Sequence, residues 1–345
     1  MTTLRIWARN NAGLLRAAVL LIAVYGIYTY LHPRGFSGAV LLSNANQALA
    51  LGLLAMAQAL VILTRGIDLS LGAIMVLSTC LASVIVNGSP IEVALGVLGC
   101  IAAGLGAGLL NGCLVVYGRL QPLIVTLATG ALFLGVAMYL RPAPGGEVDT
   151  GLAIAATGTL GRLVPAIDGL PVLAALPMSV ALMLAVVLLF WLPFRRSVIG
   201  RGILAVGSSE KSAYLSGLSV PASRIAAFAC AGGLAALAGL FVAFLTGSGD
   251  AKAAQAGVYT LNSIAAVVLG GTSLAGGMGG LVGPLLGAIA LRTITSMTRV
   301  TDTILWVIPA DPLVQPLFEG LLLLCVVSLG ALQVMRAKNR LEMLR

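Results

Sequence analysis

Apolar residues in this chain run in long unbroken blocks, not in the stripe of a soluble helix or the alternation of a half-buried strand. Ten blocks stand out, near 14–31, 40–63, 69–87, 91–117, 120–140, 173–193, 223–246, 259–270, 281–299 and 313–334. All but one reach about 18 residues, enough for a helix to cross a bilayer core. The eighth is shorter, and predicts a broken or re-entrant helix covered by its neighbours, since lipid tolerates no exposed irregular backbone. The alternating segments of about 10 residues that a β-barrel needs are absent. The pattern predicts an all-α polytopic membrane protein, one transmembrane domain over 1–345, with about ten spans.

Composition agrees with this class. The chain is 59% hydrophobic and 9% charged, with mean hydropathy +1.07, whereas soluble domains carry about 25% charged residues. The formal charge of +9 therefore points to loops that face the cytoplasm rather than to nucleic acid. With the N-terminus inside, the inner loops hold fourteen cations: Arg5, Arg9, Arg16, Arg65, Arg119, Arg195, Arg196, Arg201, Lys211, Arg224, Arg336, Lys338, Arg340 and Arg345. The outer loops hold five: Arg34, Arg141, Arg162, Lys252 and Arg299. That bias predicts both termini in the cytoplasm. The first apolar block has no small-x-small cleavage site after it and ends at His32-Pro33-Arg34, so it reads as a retained span.

Two polar interruptions are large. Residues 195–224 are basic and contain Ser209–Gly217, a stretch that predicts about two helical turns ending on Gly217. A short positive helix hung between spans suggests a docking point for a soluble partner. The outer stretch 141–172 holds Glu147, Asp149 and Asp168 among Gly and Pro, and reads either as a binding surface or as a poorly ordered link. Gly104, Gly108 and Gly112 share one helix face by their spacing of four, as do Gly279, Gly283 and Gly287. Such faces let helix backbones approach closely, within one subunit or between two. The two ladders fall in the fourth and ninth blocks, which suits an inverted repeat about the sixth.

Candidate chemistry is sparse. One histidine, His32, sits at a membrane boundary, and neither an HExxH zinc motif nor a GxxxxGK[ST] phosphate loop occurs. Cys80, Cys100, Cys113, Cys230 and Cys325 all lie in apolar blocks without a CxxC and read as small buried residues. Asp68 and Ser70 read as a cap for the helix that follows. Arg292 and Glu319 are charges in or near spans, and intramembrane charges are functional candidates by default. They are too few for a proton relay. Uncharged polar side chains cluster in the spans: Ser43, Asn44, Asn46 and Gln47, then Asn111, Thr126, Thr129 and Asn262. Amides and hydroxyls suit a path for a neutral polar solute. They equally suit interhelical hydrogen bonds. Helical spacing sets Asn46 and Gln47 on one face and turns Asn44 away, so Asn46 and Gln47 are expected on the path and Asn44 against another span.

Four motifs occur in order: TRGIDLSLG at 64–72, GLLNGCLVVYGRLQPLIVTLAT at 108–129, GSSEKSAYLSGL at 207–218 and LNSIAAVVLGGTSLAGGMGGLVGPLLGA at 261–288. Together they resemble the permease subunit of a bacterial ABC importer for monosaccharides, the ribose-type family, which shares its fold with branched-chain amino acid permeases. The resemblance covers about 40–335. It implies a type II-like importer fold in the inner membrane and a non-catalytic role for this chain. It implies partners: a second permease subunit, cytoplasmic ATPases that hold ATP and Mg, and a periplasmic sugar-binding protein. Ser209, Glu210, Lys211, Ser212, Leu215, Ser216 and Gly217 match its coupling helix, although Lys211, Ser212 and Tyr214 depart from the alanine-rich form expected there. Gly66, Asp68, Ser70, Gly270, Gly271, Gly276 and Gly277 belong to the matching motifs as structural positions. No cofactor or metal is expected on this chain. Two other readings remain open: a permease of the same fold for another solute, such as an amino acid or nucleoside, and an ion-coupled secondary transporter or channel.

Overall fold

The computed structural model describes residues 12–164 and 169–297, together with a few positions between 303 and 328. Its helices in chain order are α1 Ala12–Leu31, α2 Gly38–Leu63, α3 Leu71–Ile85, α4 Pro90–Val116 and α5 Pro122–Leu140. Three short helices follow: α6 Thr150–Thr157, α7 Leu160–Leu163 and α8 Pro171–Ala174. Then come α9 Met178–Arg196, α10 Val198–Ser208, α11 Glu210–Leu215, α12 Val220–Thr246, α13 Ala253–Leu269 and α14 Val282–Met297. Two short strands, Thr303–Ile304 and Ile308–Pro309, pair antiparallel. Of the described helices, α1, α2, α4, α5, α9 and α12 are long and apolar enough to cross a membrane. The shorter apolar helices α3, α13 and α14 pack among them.

Helix ends follow local chemistry. Ser89 and Glu92 close a capping box on α4, with Pro90 at its start. Ser37 caps α2 and Ser219 caps α12, each accepting a backbone N–H in the first turn. The α12 helix ends on Gly247 at φ 70, a left-handed turn open to glycine. Within α9 one wide π-type turn covers Val186–Trp191, just before Pro193. Proline has no N–H for the ladder and its ring crowds the preceding turn, so the helix widens there instead of stopping.

The core is built around α2. Nine tenths of its most apolar stretch is buried, an alternation of Ala and Leu from Ala48 to Leu63 that leaves room for helices on every side. By contrast α1 keeps Val19, Ile22 and Ile27 exposed, as a helix against lipid would. The packing has an exchange symmetry. α2 packs mainly on α12, α13 and α14, while α12 packs on α2, α3 and α4. Swapping α2 with α12, α3 with α13 and α4 with α14 maps the α2–α14, α2–α13 and α13–α14 contacts onto α12–α4, α12–α3 and α3–α4, the pattern of two interlocked repeats.

The glycine ladder of α4 brings two helix backbones close together. A Cβ at Gly104 would meet Gly232 and Ala236, one at Gly108 would strike the Phe228 carbonyl, and one at Gly112 would meet Ile225. All of these lie on α12, so the ladder packs helices within one subunit. In the second ladder, Gly283 lies on Gly270 and Gly287 on Ala266, both on α13 or its cap. Gly279 departs from the expected helix face, because α14 begins at Val282 and Gly279 takes φ 124 in the loop before it.

Other differences have simple causes. The eighth block is not a 12-residue stub: α13 begins at Ala253 and has 17 residues. Its first turns, AAQAGVY, hold Gln255 and Gly257, which interrupt the apolar run while the alanines keep the helix going. In the described part of the 141–172 stretch, Asp149 accepts from the Leu152 N–H at 2.6 Å to start α6, and the Asp149 N–H donates to the Val86 carbonyl at 2.8 Å. Most of the tenth block, together with Glu319, Arg299, Cys325 and Asp168, lies outside the described residues.

Candidate functional site

Two polar centres stand out at one end of the bundle. The first surrounds α11. Ser209 caps it, accepting the Ser212 N–H at 3.3 Å. It ends by a Schellman pair, with Leu218 N–H donating to the Ala213 carbonyl at 3.1 Å and Gly217 N–H to the Tyr214 carbonyl at 3.0 Å. Gly217 takes φ 77, which explains glycine there. The helix is shorter than the two turns expected, because Ser216 already leaves helical geometry as its C-cap. Ala213 is buried against Val206 and Val220, while Tyr214 and Leu215 are each 74% exposed. Glu210 pairs with Arg224 of α12 at 3.0 Å. On this face Glu210, Lys211 and Tyr214, with Arg65, Arg119 and Arg224, wall an open cleft of about 860 Å³.

This segment is fastened to the central helix. Just past the end of α2, Arg65 takes φ 66, a left-handed geometry costly for a side chain other than glycine. Its guanidinium donates to the carbonyls of Gly207 at 2.6 Å and Ser208 at 2.7 Å. The Gly277 N–H donates to the Leu63 carbonyl at 3.1 Å, and Ser208 Oγ to the Gly277 carbonyl at 3.3 Å. Gly276 and Gly277 take φ 82 and 70 and lie against Arg65 and Ser208, so the 270–281 loop, the end of α2 and the start of the α11 segment form one joint. Gly271 packs on Gly13 of α1, and Gly270 caps α13 against α14.

The second centre is the turn between α2 and α3. Asp68 is fully buried; its Oδ1 accepts from the Ser70 N–H at 2.8 Å and the Ser70 hydroxyl at 2.6 Å. Asn111 of α4 donates to Ser70 Oγ at 2.8 Å, and Thr126 of α5 accepts the Leu69 N–H at 2.9 Å. With its amide oriented to satisfy both groups, Gln58 bonds the backbone carbonyl and N–H of Asp68 at 2.9 and 3.2 Å. Gly66 turns the chain beside Val61 and Phe228. Burial pushes the Asp68 carboxyl up to about 6, against the Ser70 hydrogen bonds that hold it down. Its folded value therefore exceeds its unfolded one, and this group's contribution to stability falls as pH rises from about 4 to about 6. Asp68→Asn is expected to melt above the parent at pH 7.5. The gain is at most about 3 kcal/mol, because burial weakens the acid roughly a hundredfold and each factor of ten is about 1.4 kcal/mol. The gap should close toward pH 4; a pH series of thermal melts in detergent, with a constant gap, would remove the assignment.

The remaining polar candidates are dispersed. Asn44 donates to Thr293 Oγ1 of α14 at 3.0 Å, packing against another helix as its face predicts. Asn46 donates to the Thr157 carbonyl of α6 at 2.7 Å, and Gln47 to Ser43 Oγ at 3.2 Å. Thr129 bonds its own helix, and Asn262 is half-buried on α13. Thus Asn111 and Thr126 meet at the Asp68 turn, whereas Asn46 and Gln47 lie on the opposite half of α2. Arg292 is half-buried on α14 and its Nε has no partner among the described residues. Sequence reasoning misses Arg65 as a clasp, for which the only signal is a cation in place of a C-terminal glycine.

A membrane bundle that carries a short, doubly capped helix clasped to its central span, outside the apolar core, has the build of a transporter subunit driven from one side. The family described as branched-chain amino acid transport system / permease component matches residues 40–327, and the chain belongs to it. The chain is 35% identical to the ribose import permease protein of Bacillus subtilis over 78% of its own length and 80% of that protein. It is 35% identical to the ribose import permease protein of Escherichia coli K12, covering 80% and 83%, and 32% identical to the fructose import permease protein of Rhizobium meliloti, covering 90% and 83%. No solved structure matches the chain.

Proposed function

We propose that the chain is the membrane-spanning subunit of an ATP-driven importer that carries a monosaccharide from periplasm to cytoplasm across a bacterial inner membrane. The observation that carries this reading is the likeness, over about four fifths of the chain, to relatives whose names specify ribose and fructose import. The chain makes no covalent chemistry; ATP and Mg belong to a separate ATPase. Both termini face the cytoplasm, a reading that rests on the cation bias of the loops.

In this mechanism a periplasmic sugar-binding protein delivers solute to a pathway between two permease subunits. Closure of the ATPase pair moves α11, whose Leu215 fills a groove on the ATPase. The clasp of Arg65 on Gly207 and Ser208 passes that movement to α2, the most buried helix of the bundle. A joint of main-chain bonds transmits displacement because packed helices have few intermediate arrangements.

The test is uptake of labelled D-ribose, D-fructose and D-allose by cells that express the chain with its ATPase and binding protein. Uptake of at least one sugar is expected, and is expected to vanish when the ATPase cannot hydrolyse ATP. Uptake that survives loss of the ATPase but collapses with an ionophore would overturn the reading in favour of ion coupling.

A further inference from the structure

At the end of α12 remote from α11 there is a small polar cavity between α3, α12 and α13. It measures about 170 Å³, and its polar wall is Thr79, Thr246, Ser248, Asp250, Lys252 and Gln255. Met75, Val76 and Val242 supply an apolar side. Since α12 has 27 residues, a rise of 1.5 Å per residue puts the cavity about 40 Å from the coupling helix. At about 30 Å³ per liquid water it has room for roughly five or six waters, the scale of one sugar ring and too little for two.

The wall is held in place before anything binds. Gly249 and Gly145 exchange two backbone hydrogen bonds of 2.9 Å, which pin the loop carrying Asp250 to the outer stretch after α5. Arg141 of that stretch donates to the Ser83 hydroxyl at 2.8 Å and to the Ser83 carbonyl at 2.6 Å, and Gly249 packs on Ser83. Fixing a loop in advance removes an ordering cost from binding.

The groups that face the cavity complement hydroxyls. Thr79 donates to the carbonyls of Met75 and Gly239, and Thr246 to those of Val242 and Ser248, so both hydroxyl oxygens are left to accept. Lys252 Nζ meets Asp250 Oδ2 at 2.6 Å. That pair cancels in net charge while keeping a free carboxylate oxygen and spare ammonium donors. Gln255, without a hydrogen bond among the described residues, offers a donor and an acceptor from one amide. A wall that is neutral overall and rich in both donors and acceptors selects a neutral polyol over an ion, and the apolar side suits the C–H face of a ring.

We propose that this cavity is a solute-contact site on the import path, taking a single neutral sugar ring. Hydroxyls of the ring donate to Asp250 and to Gln255 Oε1, and accept from Gln255 Nε2 and Lys252. The proposal rests on the sugar-import reading and adds where the sugar touches this chain.

The test uses the full transporter, with its ATPase and binding protein, in proteoliposomes given D-ribose, D-fructose or D-allose at saturating binding protein. Gln255→Leu is expected to lower uptake at least tenfold while ATP hydrolysis stimulated by loaded binding protein continues. Gln255→Asn, which keeps the amide, is expected to recover part of the uptake. A purely structural role for Gln255 would lower hydrolysis and uptake together, and that result would overturn the site. Asp250→Asn is expected to lower uptake in the same way; should it fail to assemble, Gln255→Leu decides alone. Uptake by Gln255→Leu at the parental rate would overturn the site and leave the sugar reading standing. Failure of the unsubstituted transporter to move any of the three sugars would overturn both.

Discussion

Leu215→Asp should abolish import while leaving the chain inserted and folded. Leu215 is 74% exposed and does not belong to the small cluster of Ala213, Val206 and Val220 that holds α11 to the bundle. An exposed substitution outside a packed site shifts stability by about 0.5 kcal/mol or less. An apolar anchor buried in a partner's groove is another matter: its loss costs about 2 to 4 kcal/mol at a binding hot spot. At 1.4 kcal/mol per factor of ten, assembly with the ATPase should weaken roughly thirty- to thousandfold. Co-purification of the ATPase and sugar uptake are the two measurements, with expression level and melting temperature as controls. Parental uptake by this variant would show that α11 is not the coupling helix.

Gly108→Val should cost the chain its folded bundle. The added Cβ would lie on the Phe228 carbonyl of α12 and close to Ala229, main-chain atoms that cannot turn aside as a side chain can. Overpacking a fitted core costs about 1 to 3 kcal/mol even where side chains can adjust; here helix must leave helix, and about 3 kcal/mol or more is expected. Gly106 sits on the same helix with nothing near its Cβ position, so Gly106→Val should be tolerated. Size-exclusion profiles and thermal melts in detergent separate the two. Equal behaviour of the variants would mean that α4 and α12 do not touch as described.

Much of the architecture is legible in the sequence because hydropathy reports what lipid demands. The blocks at 40–63, 91–117, 120–140 and 223–246 coincide with α2, α4, α5 and α12 to within three residues. The glycines at 104, 108 and 112 announce a close approach, but a spacing cannot name its partner, and Gly232 and Phe228 lie more than a hundred residues away. Hydropathy understates the length of α13 because Gln255 and Gly257 break the apolar run without ending the helix. The polar centres are legible only in part. Asp68 and Ser70 announce a local turn, yet Asn111 and Thr126 join them through a fold that brings 41 and 57 residues of separation to hydrogen-bond distance. Five of the six polar residues around the cavity at Asp250 lie close together between Thr246 and Gln255, a polar run between two apolar helices, but nothing in that run announces that it closes on Thr79 of α3.

The clasp between Arg65 and the α11 segment uses two main-chain carbonyls, so it reads no side chain of residues 207 and 208. The joint needs glycine at 207, where a Cβ would strike the Leu63 carbonyl, and the Ser208 hydroxyl on Gly277, but it makes no use of the side chains that follow in 209–216. On the proposed coupling role, residues 209–216 could be exchanged to suit another ATPase without altering that hold, and a chimaera carrying another permease's helix at that place should keep its grip on α2. On that reading, choice of ATPase and delivery of force are separable traits of this chain.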